Sequence, residues 1–200
     1  MPLVRLATAA DIPAVRTLIL ARSAWLEERQ MPSWRESADD LAGQAENTDG
    51  TMWLLTEETS GRIIGCTTVQ QETPPWGWTE RELAEPADYL YTTVTDPADR
   101  AHRPGTLLAL WAVDRAAHQG RAWVRRGCLF PGLVRYYETQ GFSLIHEVQR
   151  THNRVYLMAR RAEELPGLPV RMQPGADRHS DLPPAAGQRS TPRPTPTRPR

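Results

Sequence analysis

Residues 99–117 read DRAHRPGTLLALWAVDRAA. Arg100, His102 and Arg103 crowd into four positions, the chain turns at Pro104-Gly105, and an apolar helical pattern follows. A helix N-terminus presents unpaired N–H groups and about half a positive charge, so an anion such as phosphate is at home there. Proline in the first helical turn beside solvated arginines is also ordinary helix-start chemistry. The loop alone leaves both readings open.

The chain has 200 residues, with 24 Lys+Arg against 24 Asp+Glu. That length suggests one domain, with room for an appendage. The balanced charge argues against a nucleic-acid binder that works by broad electrostatics. All of the Lys+Arg cations are Arg, and Ala and Pro are also abundant, a bias that points to GC-rich coding. Cys66 and Cys128 lie far apart in no CxxC pair, which suits a reducing compartment. The opening MPLVRLATAADIPAV has no apolar signal region, and no run of about 18 apolar residues occurs. The expectation is a soluble, cytoplasmic protein that engages no membrane and no nucleic acid, as a monomer or homodimer. His146 and His152, the nearest histidine pair, suit no helix-face metal spacing, so no metal is expected.

Composition shifts near Glu164. Residues 165–200 hold no aromatic residue, half of the chain's 18 prolines, and six Arg against two Asp, a charge of +4 that leaves −4 for the remainder. The ending STPRPTPTRPR buries too little apolar surface to offset chain entropy. Residues 1–164 are therefore expected to fold and 165–200 to form a disordered Pro/Arg-rich tail, solvated or serving as a partner's peptide ligand.

Within the first 164 residues, strand and helix patterns alternate. LVRLA reads as a strand; Thr8 and Asp11 offer a capping box ahead of a helix carrying Ile12, Val15, Leu18 and Ile19. A second helix falls around 37–46. MWLLTEE and RIIGCTTVQ form a hairpin across Thr59-Ser60-Gly61, and ADYLYTTVT is a further strand. The opening loop leads to a helix over 105–119, stopped by Gly120, then to the strand RAWVRRGCL. PGLVRYYETQ is a short helix between Pro131 and Gly141, and SLIHEVQR and RVYLMARR are final strands around Thr151-His152-Asn153. The strand–helix–strand unit after position 87 implies a parallel pair, and the hairpins imply antiparallel ones. About 160 residues can bury roughly 70% of their extended-chain surface, enough for a core.

With that order in hand, VTDPADRAHRPGTLLA and LVRYYETQGF resemble two motifs of the GNAT-type N-acetyltransferase family. The first matches its strand–loop–helix, Arg/Gln-x-x-Gly-x-Gly/Ala, with Arg100 in the first position and Gly105 in the last. The second matches a short helix ending Tyr-Glu-x-x-Gly-Phe, with Tyr137, Glu138, Gly141 and Phe142 in place. The likeness covers nearly all of residues 3–161. It implies an α/β fold: a mixed, mostly antiparallel sheet, helices on both faces, and a splayed parallel pair at the centre. It implies acetyl-CoA as cosubstrate and transfer of the acetyl group to an amine of a small molecule or peptide.

The same resemblance assigns roles. The loop would cradle the pyrophosphate with backbone N–H groups from His102 to Thr106, aided by Arg100 and Arg103 and including Ala101 and Gly105. Thr93, Val94 and Thr95 would hold the acetyl and pantetheine portions through their backbone. Tyr137 would protonate the departing sulfur, since a phenol stays protonated at neutral pH; its alternative is a core aromatic beside Leu133. The sequence departs from the pattern at three places. Arg103 replaces a glycine, Pro104 removes an amide donor, and Phe130 stands where Asn is usual.

Glu72, ending RIIGCTTVQQE, is the candidate base, and a solvated strand-end carboxylate is its plain alternative. Cys128 reads as a small buried thiol. Trp25 and Trp34 in one loop, and Trp76 and Trp78 in another, are candidates to line the acceptor pocket, including by cation–π contact, or are loop anchors. With Glu72, Glu80 and Glu82 they suggest an amine acceptor with some apolar body. The competing possibility is a catalytically weak or inactive acyl-CoA-binding domain with a partner-recruiting tail.

Overall fold

The computed structural model describes residues 1–46, 51–151 and 153–173. β1 (Leu3–Leu6) passes through a 3-10 turn at Ala9–Asp11 into α1 (Ile12–Glu27). The Asp11 carboxylate accepts from both the N–H and the hydroxyl of Thr8 at 2.9 Å, so the capping signature closes this tighter first turn. α2 (Ala38–Gly43) lies between two more 3-10 turns, and the hairpin of β2 (Met52–Thr56) and β3 (Ile63–Gln70) follows. After α3 (Glu80–Leu83) come β4 (Ala87–Thr95), a 3-10 turn (Pro97–His102), α4 (Pro104–His118), β5 (Trp123–Cys128), α5 (Pro131–Glu138), β6 (Ser143–Arg150), β7 (Asn153–Arg161) and β8 (Arg171–Met172).

The eight strands form one sheet in the order β6-β7-β5-β4-β3-β2-β1-β8. Only β4–β5 and β1–β8 run parallel. α4 supplies the crossover that the parallel pair β4–β5 requires. Residues of β2 show how the layers form. Trp53 and Leu55 join the cluster under α4 and α5, whereas Met52 and Leu54 join the one under α1 and α2. Successive side chains point to opposite faces, so a strand covered on both sides reads as an unbroken apolar run. A third cluster, with Trp78 against Val155, Leu157 and Ala159, covers the second face over β7. Among the described residues no helix is long and apolar enough to cross a membrane.

Two segments depart from the sequence reading. TPPWGWTEREL contains α3, capped by Thr79: the Glu82 N–H donates to the Thr79 hydroxyl, and the Thr79 N–H donates to the Glu82 carboxylate. That is a Ser/Thr-x-x-Glu box hidden among prolines and tryptophans. The structured part also runs past Glu164. Leu165, Val170 and Met172 pack against the main core, and the Leu165 N–H donates to Asp114 (2.8 Å). The N–H groups of Arg171 and Gln173 donate to Pro2 and Val4 carbonyls at 2.9 Å. Composition weighs side chains; here the open backbone edge of β1 recruits residues that composition assigns to the tail. The remainder of that tail, 174–200, and His152 lie outside the described residues.

The closed end of the parallel pair carries a buried ionic cluster. Asp88, only 1% exposed, meets Arg115 at 3.2 Å and Arg121 at 3.3 Å. Arg115 lies over the rings of Trp53 and Trp111, which pack 4.9 Å apart. Burial pushes the Asp88 carboxyl upward, and the two guanidiniums oppose it. Removing one partner of a buried pair strands the other charge, so Asp88→Ala should lower stability by about 3–5 kcal/mol, read from urea unfolding midpoints.

Candidate active site

β4 and β5 are in register from Ala87↔Trp123 to Leu90↔Arg126 and part beyond that point. Against β3, the pairing of β4 steps from Thr67↔Thr93 to Val69↔Leu90, so Tyr91 and Thr92 form a bulge that bends the strand. β5 meanwhile stays with β7 through Gly127↔Leu157 and Cys128↔Tyr156. One strand bends while its neighbour is held, and a cleft opens between them. Tyr91, 56% exposed, lies on its β4 side, and Leu129, 48% exposed, follows the end of β5. Apolar groups left in water on both sides favour an apolar ligand.

Thr93, Val94 and Thr95 lie on the β4 side, and among the described residues no strand pairs with their edge toward β5. Val94 is buried in the core under α1 and α2. The Thr93 hydroxyl shares a 2.8 Å hydrogen bond with Thr67.

α5 sets two tyrosines beside the cleft. Gly141, with φ of 78°, turns the chain after the helix, and the Phe142 N–H donates to the Tyr137 carbonyl at 3.1 Å. The Phe142 ring then packs edge-on to Tyr137, with centroids 5.5 Å apart. Tyr137 is 3% exposed, and its phenol faces the Thr93 side chain. It thus connects α5 to the bent half of β4. Burial pushes the Tyr137 phenol above its ordinary value, against the opposing pull of Arg126. Its neighbour Tyr136 shares a 2.9 Å hydrogen bond with Thr106 at the start of α4.

At the other end of the cleft, the loop before α4 is held by acids. Asp96 caps its turn by accepting from the Ala98 N–H at 2.9 Å. Arg62, just before β3, reaches Asp96 and the buried Asp99 at 2.8 Å each. Arg103 sits at φ 50°, ψ 51°, the left-handed region where glycine is at ease. Arg100, Ala101, His102 and Arg103 are exposed, and Gly105 is buried with its missing Cβ 2.9 Å from the Tyr136 hydroxyl.

The row of amides expected from His102 to Thr106 is shorter in the structure. The Arg103 N–H donates to the Arg100 carbonyl (3.1 Å) and the Thr106 N–H to the Arg103 carbonyl (2.9 Å). Pro104 has no N–H to offer. The 3-10 turn and the left-handed residue bring these carbonyls within reach, which leaves the exposed side chains of Arg100, His102 and Arg103 as the loop's outward-facing polar groups.

The remaining candidates disperse. Glu72 is exposed and borders a surface hollow with Thr73, Leu83, Pro86 and Ala87, at the closed end of β4–β5. Four paired residues separate that end from the parting, roughly 13 Å at strand rise, so Glu72 is not placed for direct proton abstraction. Trp78 is a buried anchor beneath Arg125 and beside His146. Gly77, at φ 80°, lets its loop press on Val148 and Leu157, which lie 2.8 and 2.7 Å from where a Cβ would stand. Trp76 lies under Arg150, and Trp34 is 37% exposed. Trp25 lies in the last turns of α1 (Ile12–Glu27) and not in the loop the sequence suggested; Arg22, Arg29 and Arg100 cover it at 4.4, 3.9 and 5.1 Å, which ties it to the cationic loop.

Glu82, grouped with the acceptor acids in the sequence, is committed to structure. Burial works against its ionisation, but the Thr79 amide and hydroxyl and His146 outweigh that and hold the carboxyl down at about 2. Glu80 lies exposed on α3. Cys128 is buried, its thiol pushed up by burial and donating toward the Met158 sulfur at 3.8 Å.

One residue beside Tyr137 escaped the sequence reading. Arg126, 5% exposed, places its guanidinium carbon 3.7 Å from the centroid of the Tyr137 ring. The signal was present in WVRRGC: two adjacent arginines in a strand covered on both faces must point in opposite directions, so both become buried.

No protein-family model and no curated protein matches the sequence. Solved structures do match in fold. An acetyltransferase of the GNAT family from Listeria monocytogenes is 18% identical, with a TM-score of 0.64 over 80% of this chain and 94% of its own. The ribosomal-protein-S18-alanine N-acetyltransferase of Escherichia coli is 16% identical, with a TM-score of 0.59 over 82% and 96%. A NatC complex bound to Gag peptide and CoA is 13% identical, with a TM-score of 0.54 over 81% and 99%. The chain has the GNAT-type acetyltransferase fold.

The left-handed Arg103 is a strained position for a residue with a Cβ, worth about 1–2 kcal/mol. Arg103→Gly relieves that strain and loosens the unfolded chain, leaving a net gain of about 0.5–1 kcal/mol. Comparison of thermal or urea midpoints with the unaltered chain reads this directly.

Proposed function

We propose that the protein is an acyltransferase that moves an acetyl group from acetyl-CoA to an amine of a small molecule or peptide. The observation that carries this reading is the buried Tyr137 phenol, held against Thr93 where β4 has left β5. The cleft suits CoA chemically. Tyr91 and Leu129 offer apolar contact to the alkyl parts of a pantetheine chain, the unpaired backbone edge at 93–95 offers hydrogen bonds to its amides, and Arg100, His102 and Arg103 gather at the start of α4, where a pyrophosphate would meet cations and a helix dipole. The similar structure that holds a peptide together with CoA, and the one that acetylates a protein alanine, support the same reading.

Acetyl-CoA supplies an activated acyl carbon and a sulfur leaving group. The unpaired backbone edge at 93–95 orients the acyl portion and donates to its carbonyl oxygen, a fixed dipole that needs no reorganisation. Tyr137 holds the proton that the departing sulfur takes up. Because burial favours the neutral phenol, Tyr137 keeps that proton throughout the neutral range. The acceptor amine enters as the free base, since Glu72 lies at the closed end of the strands.

A second reading is favoured by the loop itself. With the Arg103 and Thr106 amides already bonded, the chain would bind acyl-CoA with little or no turnover, as an interaction domain. Stabilisation by CoA without thiol release from acetyl-CoA across a panel of amines would establish that reading instead.

Thiol release with such a panel is the direct test. Tyr137→Phe should lower kcat by about 10²-fold, within the usual range for a lost general acid, and leave the KM for acetyl-CoA within about threefold. Since the folded Tyr137 phenol sits above the ordinary value of 10.0, loss of its proton should contribute no alkaline fall in kcat below pH 10. By contrast, Glu72→Gln should leave kcat within about twofold, the scale of a surface carboxylate with no role in proton transfer.

A further inference from the structure

Arg115, Arg125 and Arg126 are all buried, and they differ in what surrounds them. Arg125 donates to the Glu82 carbonyl at 2.6 Å. Arg115 meets Asp88. Arg126 is 5% exposed, forms no ion pair with any described carboxylate, and has its Nε and Nη1 without a hydrogen-bond partner in the structure. The titratable groups that face it are Tyr137 from α5, Cys128 from its own strand and Tyr89 from β4, all neutral as ordinary phenols and thiols. β7 contributes Met158, its register partner. A buried cation with no anion is costly, and it persists where something else uses the charge.

Its place in the sheet is informative. Arg126 is the last residue of β5 paired with β4, opposite Leu90. It therefore stands at the apex of the cleft, with its guanidinium against the Tyr137 ring. Resting on the acyl transfer proposed above, that apex is where the thioester lies. As the amine nitrogen forms the new C–N bond, the C–S bond breaks and its electron pair goes to sulfur. The surplus proton of the amine leaves to solvent, and the Tyr137 proton goes to sulfur, the phenol being reprotonated from water. Negative charge thus appears briefly on sulfur and on the phenol, both beside one guanidinium.

We infer that Arg126 is the counter-charge for the departing CoA thiolate, holding the anion at the apex until Tyr137 protonates it. An opposite charge within about 4–6 Å lowers an acid's pKa by about 1–3 units. The thiol of bound CoA should therefore ionise below its value in free solution, and CoA affinity should rise with pH between the two. The thioester of acetyl-CoA carries no such charge and should bind without this dependence.

Calorimetric titration of the full chain with CoA, desulfo-CoA and acetyl-CoA between pH 6 and pH 9.5 tests this. The expected result is a preference for CoA over desulfo-CoA that grows with pH and reaches at least about tenfold, the worth of one pKa unit. Arg126→Met should abolish that growth while changing acetyl-CoA affinity less than about threefold, and Arg126→Lys should restore part of it. Thermal melts confirm that the variants are folded; if Arg126→Met is not, the wild-type comparison of CoA with desulfo-CoA and the Lys variant decide alone. Equal, pH-independent affinities for CoA and desulfo-CoA in the wild type overturn the inference while leaving acyl transfer standing. So does a preference that survives in Arg126→Met. Failure of the wild type to bind any of the three ligands overturns acyl transfer and this inference together.

Discussion

The hydrogen-bond register between β4 and β5 stops at Leu90↔Arg126, and the rest of the molecule is arranged around that stop. A parallel pair of strands would normally zip to its end. Here a bulge at Tyr91 and Thr92 draws β4 toward β3, while β7 keeps β5 in place. The strands are thus held apart by their outer neighbours. α4 begins beside the bent end of β4 and α5 covers the end of β5, so the helices inherit their positions from the gap. The hydroxyl contact of Tyr136 with Thr106, and the Tyr137 phenol facing Thr93, link α5 back to the other side.

The two ends of this strand pair use charge in opposite ways. At the closed end, Asp88 is bracketed by Arg115 and Arg121, and aromatic rings cover Arg115. That cluster is locally neutralised and fixes strand against helix. At the open end, Arg126 faces only neutral phenols and a thiol, with part of its guanidinium left without partners. A low-dielectric setting magnifies both effects, strengthening the paired cluster and making the unpaired cation attractive to any anion that enters. Paired charge is concentrated at one end and unpaired charge at the other.

The loop before α4 shows the same division on a smaller scale. Asp96 and Asp99 are bound by Arg62 and shape the turn, whereas Arg100, His102 and Arg103 face water. Because Arg103 occupies a left-handed conformation and Pro104 lacks an N–H, the loop trades backbone donors for side-chain cations. A guanidinium is longer and more mobile than an amide, so this end of the cleft is defined more by charge than by shape.

Periodicity and punctuation by themselves determined most of the secondary structure. The alternation of ADYLYTTVT, the Pro131 and Gly141 that bracket α5, and the Pro104 start of α4 all act within a few residues, and local chemistry is what a sequence records. The two motifs fall on α5 and on the loop before α4, the two segments that flank the parting of β4 and β5. Side-chain fate was another matter, because it depends on what the fold brings alongside. Trp78 became an anchor since Gly77 lets its loop press on β6 and β7; the Glu82 carboxylate, already capping α3 with Thr79, is taken up further by His146 of β6; residues 171–172 became a strand since β1 left an edge open. Glu72 was separated from the cleft by four paired residues that only the register reveals. The burial of Arg126 at the apex required knowing where two strands part, and that point is set by pairings among β3, β4, β5 and β7, whose partners lie far apart along the chain and are brought together only by folding.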